Sequence, residues 1–199
     1  MIITRKDLEK YSNCDFYDGS LIHSRFVYKF FRDKVIPIGN IVAFRAPMEV
    51  TGNLIDLEDS LEKDYIYSND AVNFCFEIPG ISNWAGVAFQ RLYATIVGNI
   101  LAVITELPVE VEGDDIFVRY KTPEGEAKSG KASVSIVCEK NGAVLGHLGI
   151  NIDAGSKAPD FAYSTKMADE QIDLFMKECI KAFYITSNSI FIATTKIIS

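Results

Sequence analysis

The dipeptide Asn141-Gly142 constrains this chain more than any other feature. Asn-Gly supplies the two positive φ angles of a type I′ turn, the tight connection of an antiparallel hairpin. Before it, Ser133, Ser135 and Val137 alternate with Val134, Ile136 and Cys138; after it, Val144 to Ile152 is mostly apolar. A two-residue loop fixes the register and pairs Ile136 with His147 and Val134 with Gly149. Paired residues share a face of the sheet, and neighbours alternate. Regular pairing then turns Lys131, Ser133 and Ser135 to one side and His147 and Asn151 to the other. One set serves a site and the other packs or meets solvent, unless a bulge breaks the register.

Other elements surround the hairpin. Asp18-Gly19-Ser20 precedes an aromatic-rich run, Arg25 to Phe31, that reads as a helix. Gly39-Asn40 is a turn signal, and Ile41 to Phe44 reads as a short buried strand. Val72 to Ile78 reads as a strand closed by Pro79-Gly80. From Asn83 to Thr105, apolar residues at helical spacing predict a long helix, with Pro108 just past its end. Val109, Val111 and Ile116 to Tyr120 read as strands around Glu112 to Asp115. A last helix begins near Asp169, and the β-branched tail Ile190 to Ile198 reads as a final strand. The order predicts an α+β fold, a mainly antiparallel sheet with packed helices, in one domain spanning residues 1–199.

The long helix is the only membrane-span candidate. Gly86, Gln90, Gly98 and Ala102 recur along it at helical spacing, and such a stripe suits a buried core helix. The chain has 199 residues, 48% of them hydrophobic, enough for one sizeable core. Met1 to Tyr11 is charged with no apolar stretch behind it, so no secretory signal is expected and the chain reads as cytoplasmic. Cys14, Cys75, Cys138 and Cys179 lack paired spacing, as expected of small hydrophobes in a reducing cell. The formal net charge of −7 argues against nucleic-acid and membrane-surface partners.

Several motifs together resemble a known group of enzymes. Glu112 to Val118, a connector, and Gly130 to Ser135 resemble a segment of lipoate and biotin protein ligases, in which an Asn-Asp strand leads to a Gly-x-Lys-x-x-Gly strand. Phe44-Arg45 resembles their Gly-Arg strand end, and His147 to Asn151 their histidine- and glycine-bearing strand. The pattern is most similar to the family called domain of unknown function 366. The motifs that carry it are Asp18-Gly19-Ser20, Phe44-Arg45, Asp56 to Asp59, Gly113 to Ile116, Lys131 to Ser135 and His147 to Asn151. The resemblance implies a class II synthetase-like fold and a ligase or acyltransferase acting on a small carboxylic acid or its adenylate, with ATP and Mg²⁺ as cofactors. It also implies ligand contacts from Asp18, Ser20, Arg45, Asp115, Ser133, Ser135, His147 and Asn151, with Lys131 as the catalytic group. The chain departs from the ligases where they hold the adenylate phosphate. Asp56-Leu57-Glu58-Asp59 is acidic and glycine-poor there, and Val134 replaces the glycine after the lysine.

Each residue also has a plainer explanation. Lys131 would neutralise a carboxylate or phosphate, or it is a solvent-facing strand lysine. Arg45 would clamp an anion, or it pairs with a nearby acid. Asp56, Glu58 and Asp59 would chelate Mg²⁺, or they form a solvated capping turn. Asp18 and Ser20 would touch ligand, or they cap a helix. His147 would act on a substrate, or it is a satisfied core group. Three functions follow: a ligase or acyltransferase, a small-molecule binding module that lost the phosphate loop, and a Mg²⁺-dependent enzyme. A homodimer, formed through the tail strand, is a further expectation.

Overall fold

The computed structural model describes residues 1–12, 14–62 and 65–197; the side chain of Asp59 is outside the description. Helix α1 (Arg5–Ser12), a 3-10 turn (Ser20–His23) and α2 (Val27–Phe31) come first. Strand β1 (Asn40–Val50), α3 (Leu57–Glu62), β2 (Ile66–Pro79) and α4 (Asn83–Thr105) follow. Then come β3 (Val109–Glu112), β4 (Asp115–Lys121), β5 (Ala127–Lys131), β6 (Ser133–Lys140), β7 (Ala143–Asp153) and α5 (Asp169–Thr194).

Two antiparallel sheets result, one in the order β1-β2-β7-β6 and one in the order β3-β4-β5. The hairpin has the expected register, with Ile136 opposite His147 and Val134 opposite Gly149. Asn141 and Gly142 both have positive φ, 51° and 73°, as the turn requires. β1 and β2 run well beyond the segments read from sequence.

Each face of the larger sheet buries its own core. On one face, α4 and α5 cover Phe74, Phe76, Leu148 and Ile150. On the other, α1, α2 and the 3-10 turn cover Phe44, Met48, Cys75 and Leu145. Helix α4 starts with the Ser82 hydroxyl accepting from Ala85 N–H and ends at Glu106 in a left-handed conformation. It is long and apolar enough to span a membrane, but its small-residue stripe packs on strands. A Cβ on Gly86 would lie 2.7 Å from Val144, and one on Gly98 would lie 2.5 Å from Val111. Those glycines let β7 and β3 approach the helix axis.

The tail departs from expectation. Ile190 to Thr194 continue α5 instead of forming a strand; Ile198 lies outside the described residues. β-branched residues have only a weak intrinsic preference, and here the established helical ladder overrides it. Along 190–194 the chain therefore has no strand to add to a partner's sheet. The four cysteines are free; Cys75 and Cys179 are buried, and burial raises the thiol pKa of all four.

Candidate functional site

The site is built where the chain crosses from one sheet to the other. β5 pairs with β4, with Lys131 opposite Phe117. β6 pairs with β7, starting with Ser133 opposite Ile150. Between them lies Ala132, fully buried, its N–H bonded to the Ile116 carbonyl and its carbonyl accepting from Asn151 N–H, both at 2.8 Å. This crossing interrupts the regular alternation. The prediction that Lys131 and Asn151 occupy opposite sides is therefore corrected: both line one cleft, of about 290 Å³.

Lys131 is held on both sides. Its N–H donates to the Phe161 carbonyl and its carbonyl accepts from Tyr163 N–H, each at 2.8 Å. Gly130 makes that approach feasible, since a Cβ there would lie 2.9 Å from the Tyr163 Cβ. The ammonium lies 2.8 Å from Asp115 Oδ1, and both side chains are about one-third exposed (30% and 34%). Lys131 is the one charged side chain among the described residues lining the cleft. Tyr65, Tyr67, Phe161 and Pro159 supply the apolar walls. The Tyr65 hydroxyl donates to the Lys157 carbonyl at 2.7 Å, and that of Tyr67 to Asn69 Oδ1 at 2.9 Å.

Asn151 is 3% exposed. Its N–H donates to Ala132, and its carbonyl accepts from the Thr165 N–H (3.0 Å) and hydroxyl (2.7 Å). Its side-chain Oδ1 is buried with no hydrogen-bond partner among the described residues. A buried, unpaired acceptor is costly, so such groups mark sites that meet a ligand or water.

A small recess adjoins the cleft, and Ile66 and Val134 border both. Tyr17 and His147 stack within it, ring centroids 3.8 Å apart. His147 Nε2 lies 2.9 Å from Asn73 Oδ1, while Asn73 Nδ2 donates to the carbonyls of Ala46 and Ala71. That arrangement makes Nε2 the protonated nitrogen. Burial lowers the His147 pKa to about 3, so the ring is neutral at physiological pH. His147 is thus a satisfied core group at the floor of the recess. With Nε2 committed to Asn73, and Ser133 and Ser135 bonded elsewhere, it builds no nucleophilic triad.

Of the other predicted residues, Ser133 also lines the cleft and Ser135 the recess, whereas Arg45 lies apart from both. The Ser133 hydroxyl accepts from Ile116 N–H at 2.8 Å. The Ser135 hydroxyl accepts from Gln90 Nε2, which also donates to Asp114. Burial raises the Asp114 pKa, opposed by the Arg91 charge. Arg45 lies on the α4–α5 face, 2.6 Å from Asp70 and 2.7 Å from Asp169, so it pairs with acids outside the cleft. Asp18 Oδ1 accepts from Ser20 N–H at 2.9 Å, and its carbonyl accepts from Asn53 Nδ2. These two residues form a turn that shapes the recess wall. Asp56 borders the recess and accepts from Glu58 N–H at 2.8 Å; Glu58 is exposed. Among the described residues no three His, Cys, Asp or Glu side chains converge on a metal position.

Sequence reasoning missed Tyr17, Tyr65, Tyr67, Asn73 and the Pro159–Phe161 wall. Asn73 carried a signal, as the one polar residue besides Glu77 in the apolar run Val72 to Ile78.

The antiparallel sheet backed by two long helices is a fold shared with lipoate protein ligase structures. The chain belongs to the family described as domain of unknown function (DUF366), which matches residues 8–198. It is similar in structure to a protein of unknown function from Pyrococcus horikoshi, at TM-score 0.76 and 22% identity over 92% of each chain. It is also similar to a T. acidophilum protein with bound lipoic acid, at TM-score 0.52 and 13% identity, covering 81% of this chain and 78% of that one. A bi-partite lipoate protein ligase from Thermoplasma acidophilum aligns at TM-score 0.50 and 14% identity, over 81% and 76%. No curated protein matches the chain.

Proposed function

We propose that the chain binds a small carboxylic acid in the cleft, with its carboxylate against Lys131. The observation that carries this reading is Lys131 itself, pinned at its backbone and set alone as a cation among aromatic walls. A charge-assisted contact orients the acid, and the walls desolvate its chain. Asp115 keeps the ammonium in place before the ligand arrives. That a lipoic-acid-bound protein shares this fold supports the choice of ligand class.

The acidic turn beside the recess favours binding without adenylation. Asp56 and Glu58 stand where a phosphate-holding segment would need backbone N–H groups and positive charge. Calorimetric titration with octanoate and lipoate tests the reading. The wild type should bind, and Lys131→Ala should weaken binding by about tenfold or more, with little change in melting temperature because the Lys131–Asp115 pair is partly solvated. Equal binding by both proteins, or no binding by either, contradicts the assignment. Repeating the titration with Mg·ATP separates the alternatives. Nucleotide binding that depends on Lys131 would favour a ligase or acyltransferase, and its absence would favour the binding module.

A further inference from the structure

Asn151 carries the account of the cleft further. Its main chain is bonded on both sides, to Ala132 and to Thr165, so the side chain is held in a fixed frame. Its Oδ1 is nonetheless left without a donor. Three donors of the lining are turned to other acceptors, Lys131 to Asp115, Tyr65 to the Lys157 carbonyl and Tyr67 to Asn69, and the Ser133 hydroxyl is engaged as an acceptor by Ile116 N–H. The described residues of the lining give this oxygen no hydrogen bond, although it belongs to the same cleft as Lys131.

We infer that the natural ligand is a carboxylic acid bearing its own N–H or O–H donor, a hydroxy, amino or amide-substituted acid, and that Asn151 Oδ1 accepts from that group. The inference rests on the acid-site reading above. A plain acyl chain would fill the cleft and leave the oxygen buried and unpaired. A donor-bearing acid would satisfy it at the same moment that Lys131 takes the carboxylate. Sites built around a hydrogen bond discriminate most strongly against ligands that cannot make it. Asn151 is then the specificity-determining residue, and Lys131 supplies affinity common to all acids.

The test compares octanoate with 2-, 3- and 8-hydroxyoctanoate on the wild type, Lys131→Ala and Asn151→Leu. Asn151→Leu keeps the side chain's approximate size and removes the acceptor. At least one hydroxylated acid should bind the wild type about tenfold more tightly than octanoate, the scale of one satisfied buried acceptor. That preference should vanish in Asn151→Leu, while octanoate binds it as well as or better than the wild type. Asn151→Leu should melt at the same temperature or higher, since it removes an unpaired buried oxygen. Should it fail to fold, Asn151→Ala takes its place in the comparison. If octanoate equals every hydroxylated form, or the preference survives loss of Asn151, the inference is overturned while Lys131-dependent acid binding stands. If no acid binds the wild type, the acid-site reading falls, and this inference with it.

Discussion

One face of the four-stranded sheet is covered by α4 and α5, and the other by the short N-terminal elements and the cleft. The helix-covered face is built around aromatic rings, with an apolar cavity between α4 and α5 at its edge. Phe76, Phe89, Tyr93 and Phe183 form a cluster of rings with centroids 5.5–6.1 Å apart, and the Tyr93 hydroxyl donates to the Cys179 carbonyl. Charged Arg45 at its border is neutralised by two carboxylates. The cleft-bearing face buries His147 and Asn73, paired with each other, and Asn151, whose oxygen is unpaired; on the helix side Gln90 is buried but bonded to Asp114 and Ser135, and the Ser187 hydroxyl is unpaired beside an apolar cavity. The two faces offer a ligand different chemistry: apolar rings and one hydroxyl on the helix side, a cation and an unpaired amide oxygen in the cleft.

Substitutions can break or sharpen that contrast. Phe183→Ala on the helix-covered face should have the largest effect, costing about 3–5 kcal/mol of stability in urea unfolding, because it opens a cavity among Phe76, Phe89, Tyr93 and Tyr184. At temperatures where the variant is folded, acid binding should persist. A small loss would mean that this face is looser than its ring contacts indicate.

The second effect depends on pH. The folded-state pKa of His147 is lowered to about 3, whereas the unfolded value is near 6.5. The unfolded chain therefore binds the extra proton first. The contribution is fully present above about pH 6.5 and is lost as pH falls toward 3, at a limiting slope of about 1.4 kcal/mol per pH unit. His147→Gln should flatten urea-derived stability between about pH 6 and pH 4 by roughly one proton's slope. An unchanged slope would show that folding does not lower the pKa of this ring, and contradict its buried, neutral state.

Gly130→Ala should destabilise by about 1–2 kcal/mol and weaken acid binding several-fold, because the added methyl displaces the wall at Tyr163. Calorimetry and thermal melts read both effects. The smallest change should come from Arg45→Ala. Its side chain is 39% exposed, so losing the ion pairs should cost less than about 1 kcal/mol and leave acid affinity unchanged. A tenfold loss of affinity would bring Arg45 back as an anion clamp.

The sequence showed the scaffold more clearly than the site, for a physical reason. Asn141-Gly142 has one geometric meaning, so the hairpin and its register were readable, as were both ends of α4. Lys131 and Asn151 came from a motif, but their meeting depends on the crossing at Ala132, where one residue bonds to two strands. No local pattern encodes such a tertiary junction. The aromatic walls come from Tyr65, Tyr67 and Phe161, at a strand end and in the β7–α5 connection, where periodicity is silent. Arg45 and the two serines had the expected residue types, and only the geometry shows their partners to be Asp70, Asp169, Gln90 and Ile116.

The contrast between the faces is tested most directly by amide chemical-shift mapping during an octanoate titration. A second, apolar cavity lies between α4 and α5, lined by Trp84, Phe89 and Phe191, and offers octanoate an alternative. The account predicts shifts concentrated at Tyr65 to Tyr67, Lys131 to Val134, Asn151 and Phe161 to Ala162, and their loss in Lys131→Ala. Shifts concentrated instead at Trp84 to Leu92 and Ser187 to Thr194 would place the ligand on the helix-covered face and contradict it.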